Sequence, residues 1–135
     1  MKSILLALFI SSGFCYATEP DSLLLGEWEL FKIIDNMTGD EIIPPKPNAD
    51  FEFYIVFQDS TVGFNLEINK CGNSYQIKGL NQIEFLYYDE CTLICCDKHF
   101  SLLLTYEACT GYYIRNNTLV LVSEERIFYF SKALG

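Results

Sequence analysis

The sequence predicts a mainly β fold: a small antiparallel meander of eight strands closed into a barrel-like domain, with one short helix at about residues 97–108. Three observations predict it. Two runs alternate with period two: Phe51, Phe53, Ile55 and Phe57 against Glu52, Tyr54 and Val56, then Val62, Phe64, Leu66 and Ile68 against Gly63, Asn65 and Glu67. Such alternation belongs to a sheet with one buried and one solvated face. Asn116-Asn117 separates two apolar segments, and asparagine tolerates the positive φ of a two-residue hairpin turn. Only residues 91–109 turn helical, with Phe100, Leu103, Leu104 and Ala108 at i, i+3, i+4 and i+8.

In chain order, residues 26–30 open the first strand, Trp28 and Leu30 on one face and Glu27 and Glu29 on the other. Parity then slips, because Phe31 and Ile33 are apolar on the opposite side, which predicts a bulge or a strand end. Residues 35–50 carry Gly39, Pro44, Pro45 and Pro47 and read as a long surface loop. The hairpin formed by the two alternating runs follows, its turn at Asp59-Ser60. Residues 69–74 read as a turn-rich link. Strands at Tyr75–Lys78 and Ile83–Tyr87, the helical stretch, the Asn116-Asn117 hairpin and an aromatic last strand at residues 126–131 complete the meander. Closing it into a barrel removes the exposed edges.

Residues 1–17 read as a secretory signal peptide: Lys2, an apolar run at Ile4–Ile10, and small residues before a cleavage point at Thr18. The run is about half of the ~20 residues a membrane span needs, so no stable span is expected. A lipoprotein with Cys15 acylated is the rival, but Phe14 stands where a small residue is expected, so ordinary secretion is expected (periplasm or envelope in a bacterium). Cleavage leaves 118 of the 135 residues, one domain. With 50% apolar and 16% aromatic residues that domain can fill a core. The formal charge of −9, or −10 once Lys2 is gone, excludes a nucleic-acid binder, which needs a basic face. A cationic partner is permitted and not implied.

Cys71, Cys91, Cys95, Cys96 and Cys109 remain after cleavage. In an oxidising compartment they make two disulfides and one thiol, or one bridge and three thiols.

Several segments stand in a recognisable order: Leu25-Gly26-Glu27-Trp28-Glu29-Leu30, Asn69–Tyr75 leading to Gly79, Thr92–Cys96, a helix, Gly111–Ile114 with Asn117–Leu121, and a strand ending Phe128-Tyr129-Phe130. The layout resembles the META/HslJ-like domain family (DUF306), with its G-x-W-x-L opening, cysteine segments and closing hairpin, over residues 24–132. G-x-W alone also fits lipocalins, the lipocalin-like runner-up. Cys71 is followed by Gly72-Asn73 and not directly by Asn, and Cys96 takes the place of the family's second cysteine. The resemblance implies a compact exported β-barrel without established catalytic residues. It also implies a Cys71–Cys96 disulfide, with Cys91–Cys109 stapling the flanks of the helix and Cys95 free.

No cofactor is expected. Cys91, Cys95, Cys96 and His99 superficially resemble a zinc set, but adjacent Cys95 and Cys96 point to different faces if extended, and an oxidising compartment favours disulfides. A cysteine–His99 thiol enzyme lacks a visible oriented base and oxyanion site, so no enzyme is expected. Asp89, Glu90 and Asp97 are expected to serve the start of the helix. Asn36 and Asn116 open glycosylation sequons that matter only in a eukaryote. The expected function is binding, with an unknown protein as the partner of an interaction module, a protease-inhibitor-like protein included. A lipocalin-like carrier of an apolar small molecule in an aromatic-lined barrel is the alternative.

Overall fold

The computed structural model describes residues 21–45, 53–67, 69–92 and 99–133. The expected signal peptide, Cys95, Cys96 and Asp97 lie outside them, as do residues 46–50 of the proline-bearing loop. The chain forms β1 (Gly26–Asp35), β2 (Glu41–Ile42), β3 (Tyr54–Phe57), β4 (Thr61–Leu66), β5 (Asn69–Gly79), β6 (Gln82–Cys91), β7 (Gly111–Arg115), β8 (Thr118–Val122) and β9 (Arg126–Lys132). Every pairing is antiparallel, and β9 returns to β1, so eight strands close a barrel and two-residue β2 extends the β3 side of β1. The mainly β, eight-stranded expectation holds.

Alternation sorts the side chains. Trp28, Ile55, Phe64 and Cys71 lie in one inward row across β1, β3, β4 and β5, and Leu119, Leu121, Phe128 and Phe130 point inward from β8 and β9. The parity slip in β1 is a bulge between Leu30 and Lys32, which turns Phe31 outward. The predicted hairpin turn is present, with Arg115 opposite Thr118 and Asn116 at φ 56°.

Two local expectations are corrected, and the expected short helix is present in 3-10 form. Residues 69–74 are strand, because β5 pairs with β4 from Asn69 to Ser74 and with β6 from Cys71 onward; pairing on both sides overrides the poor strand propensity of Gly72-Asn73-Ser74. Asp89 and Glu90 lie within β6 and not at a helix start. The helical stretch takes the form of two 3-10 turns, His99–Leu103 and Tyr106–Ala108, separated by Thr105 at φ −94° and ψ 57°. That break lets Leu104 and then Tyr106 face inward while Ala108 stays exposed.

Both barrel ends are covered. At the end where β1 starts, Leu24 is fully buried, its carbonyl accepts the Trp28 indole N–H at 2.8 Å, and Lys132 Nζ lies 4.4 Å from the Trp28 ring centre. At the other end the 3-10 segment enters, tied by Ser101 N–H to the Glu67 carboxylate (3.2 Å) and by Arg126 to Thr105 Oγ1 (3.2 Å). The seam between β6 and β7 holds by one register pair, Gln82–Gly111, and the second 3-10 turn lies beside β6.

Candidate functional site

The interior is the first place to look for a bound molecule, and a side chain occupies it. Tyr106, fully buried, meets Phe64 and Phe128 edge-on at 5.1 and 4.9 Å between ring centres, and Phe130 at 5.6 Å. Phe100 from the same segment packs on Phe53 at 4.8 Å. The plug is thus an aromatic side chain delivered by the linker between β6 and β7.

The cysteines settle differently from the expectation. Cys71 bonds Cys91, not Cys96, and Cys109 is a buried free thiol, not the partner of Cys91. The reason is register: in the long β5–β6 hairpin the shifts at Gly72/Asn73 and Ser74/Tyr75 each take up one extra β6 residue, which sets Cys71 opposite Cys91 where an unbroken ladder from Ile77–Ile83 would set Asp89. Thr92 locks the same end, its hydroxyl donating to the Asn69 side-chain oxygen (2.8 Å) and accepting the Lys70 N–H (3.0 Å). Cys96 lies outside the described residues, and His99 opens the first 3-10 turn. With Cys91 in a disulfide, it cannot serve the zinc set. Among the described residues no cluster of His, Cys, Asp or Glu is arranged to hold a metal ion.

Burial pushes the Cys109 thiol well above its ordinary value of 9.0, with the Glu107 charge adding to the effect. That is the reverse of an activated nucleophile. Tyr106 is pushed up by burial first and Cys109 second, and Tyr112 by burial and then by its 3.0 Å hydrogen bond to Asp21. All three folded values lie above the unfolded ones. As pH rises past the ordinary thiol and phenol values of 9.0 and 10.0, the unfolded chain therefore releases protons first and stability falls. Melting temperatures measured between about pH 8 and pH 11 should be flat at first and then decline, and Cys109→Ala should move the onset toward the tyrosine range.

Of the sequon residues, Asn36 sits in the β1–β2 turn, its amide donating to the carbonyls of Ser123 (3.3 Å) and Glu124 (3.2 Å). Asn116 is exposed at the β7–β8 turn. The structure does not bring the two together with the cysteines into one site.

Two features of the outer wall went unmarked in the sequence. The first is a groove of about 580 Å³ across β3, β4 and β5. Its floor is the pair Gly63 and Gly72, opposite one another in the β4–β5 register, with Val56 beside Gly63 on β3. Gln58, Thr61 and Ser74 form a polar wall, with the Thr61 hydroxyl 3.2 Å from Gln58 Oε1. Neither glycine has positive φ, and a Cβ would meet only ordinary contacts, 3.7 Å from Cys71 O and 3.9 Å from Val62 O. The sheet does not require glycine there. Gly72→Val should keep or raise stability, by up to about 1 kcal/mol in thermal unfolding, while filling the groove.

The second lies across β7, β8, β9 and β1. Val120 faces outward, opposite in parity to Leu119 and Leu121, yet it is only 2% exposed. Its register neighbours Tyr113 and Tyr129 flank it, and the Phe31 ring lies tilted against Tyr129 with 6.3 Å between ring centres. Lys32 Nζ lies 4.4 Å from the Tyr129 ring centre. This is an aromatic cluster outside the barrel.

Together these elements define a closed, plugged, antiparallel eight-stranded barrel with a disulfide between adjacent strands. No protein-family model and no curated protein matches the chain. Among solved structures it matches the crystal structure, at 1.00 Å resolution, of a DUF4847 family protein from Bacteroides vulgatus ATCC 8482. The TM-score is 0.58 at 14% sequence identity, covering 84% of this chain and 96% of that one. The two share a fold.

Proposed function

We propose that this protein is an extracytoplasmic, non-enzymatic binding module that engages a protein partner through the outer wall of its barrel, at the Gly63–Gly72 groove. One observation carries the proposal: the Tyr106 ring occupies the barrel centre, where a lipocalin-like carrier would hold its cargo. That plug supports a binding surface on the exterior, where the groove supplies a backbone floor, one apolar flank at Val56 and one polar flank at Gln58, Thr61 and Ser74. Those surroundings suit an extended segment or a flat side chain of a partner.

The cellular setting is supported by the Cys71–Cys91 disulfide, a bond that persists in oxidising compartments. No helix among the described residues is long and apolar enough to cross a membrane. Membership of the META/HslJ-like family is part of the same proposal. A closed barrel of this kind supports it, and the Cys71–Cys91 pairing departs from the disulfide that the resemblance implied.

The test pairs two measurements on the secreted protein. Native mass spectrometry should show no stoichiometric organic adduct, and a partner captured from the native milieu should be lost on Gly72→Leu while the fold persists. A tightly bound apolar adduct overturns the proposal in favour of a carrier. Capture indifferent to Gly72→Leu removes the groove from it.

A further inference from the structure

We infer that the aromatic face of β7, β8, β9 and β1 is a homodimer interface, in which two copies of this chain pack face to face about a two-fold axis running along the strands between β8 and β9. The inference stands apart from the groove, which is centred on β4, two strands beyond the β1 edge of this face.

The register makes this face self-complementary. One outward row runs Arg115, Thr118, Ser131, Glu29 across the four strands. A second runs Tyr113, Val120, Tyr129, Lys32, with the bulge adding Phe31. A two-fold axis along the strands, midway between β8 and β9, exchanges β8 with β9 and β7 with β1. Arg115 of each copy then lies over Glu29 of the other, and Tyr113 lies over Lys32 and Phe31. The central pair, Val120 and Tyr129, meets its own image. Each row thus carries its complement at its opposite end, cation against carboxylate and ring against cation, as an isologous contact requires.

Charge and exposure point to the same occupant. In a chain of net charge −9, this face carries Arg115 and Lys32 beside the rings, so a second copy meets matched charges here. Among the described residues neither Arg115 nor Glu29 has an ion-pair partner in its own chain; the pairs found are Lys78–Glu84 and Arg126–Glu125. Phe31 and Tyr113 are 41% and 45% exposed, large aromatic surfaces of the kind that anchor interfaces. A closed barrel is convex, so the rings near the axis make the close contact and the longer Arg115 and Glu29 side chains reach across the widening edges. The dimer therefore belongs with small, concentration-dependent interfaces.

Sedimentation velocity of the full chain over a concentration series tests it, with circular dichroism confirming that each variant is folded. Wild type should pass from monomer to dimer. Arg115→Glu, which sets two like-charge contacts in each dimer, should weaken association more than about tenfold. Adding Glu29→Arg to Arg115→Glu restores the opposite charges and should return the dissociation constant to near the wild-type value. Wild type that remains monomeric to about 1 mM overturns the inference, including the case where a different protein covers this face. A dimer indifferent to Arg115→Glu, or not rescued by the double exchange, overturns it equally.

Discussion

Tyr106→Ala should lower the free energy of unfolding by about 3–5 kcal/mol, while Tyr106→Phe should leave it unchanged or raise it. The ring is surrounded by Phe64, Phe128 and Phe130 with no exposure to solvent, so alanine leaves an aromatic-sized void at the barrel centre. Small domains hold only about 5–15 kcal/mol in total, so the alanine variant loses a large share of its stability. The hydroxyl behaves oppositely. Among the described residues it has no hydrogen-bond partner, and burying an unpaired hydroxyl costs about 1–3 kcal/mol that phenylalanine does not incur. Urea unfolding of the three proteins at equal slope decides the matter. If Tyr106→Phe destabilises as much as alanine does, the hydroxyl is bonded and the account of the plug is wrong.

Cys71→Ser with Cys91→Ser should cost about 3 kcal/mol, and reduction of the wild type about the same. The bridge joins residues 20 apart in sequence, and closing a loop of that size removes chain entropy from the unfolded state. Its place adds a local effect. The β5–β6 hairpin is interrupted by register shifts at Gly72/Asn73, Ser74/Tyr75 and Ile77/Gly79, so its ladder is weakest on the stretch that the disulfide spans. Denaturant titrations with and without reductant should separate by that amount in the wild type and in Cys109→Ala, which keeps the bridge, while Cys71→Ser with Cys91→Ser should behave alike under both conditions. Equal midpoints for oxidised and reduced protein would show that the hairpin holds its register unaided.

Much of the fold was legible in the sequence because alternation survives in β1, β3, β4 and β9, and because the Asn116-Asn117 turn marks the β7–β8 hairpin. Even the bulge at Phe31 announced itself as a change of parity. What was not legible depended on pairing. Gly72-Asn73-Ser74 reads locally as a turn, and only neighbours on both sides hold it extended. The partner of Cys71 follows from a hairpin register that several bulges displace, which no spacing rule recovers. Gly63 and Gly72 become a groove, and Arg115 and Glu29 opposite ends of one row, only when distant strands lie side by side. Tyr106 was hidden for a different reason. The period of the run marked Phe100, Leu103, Leu104 and Ala108, and the Thr105 break handed the central position to a residue off that face.

The ring closes through β1 and β9, the first and last strands of the barrel, whereas β6 and β7 touch by a single register pair. Of the barrel's pairings, this first-to-last one closes the longest loop and so carries the largest loop-closure entropy cost. A chain emerging from a ribosome has β1 available early and must wait for residues 126–132 before its β9-side edge is covered. Through that interval β1 offers an unpaired, half-apolar edge, the kind of surface that holdases shield and that aggregation exploits. Covering that edge thus waits on the arrival of the last strand.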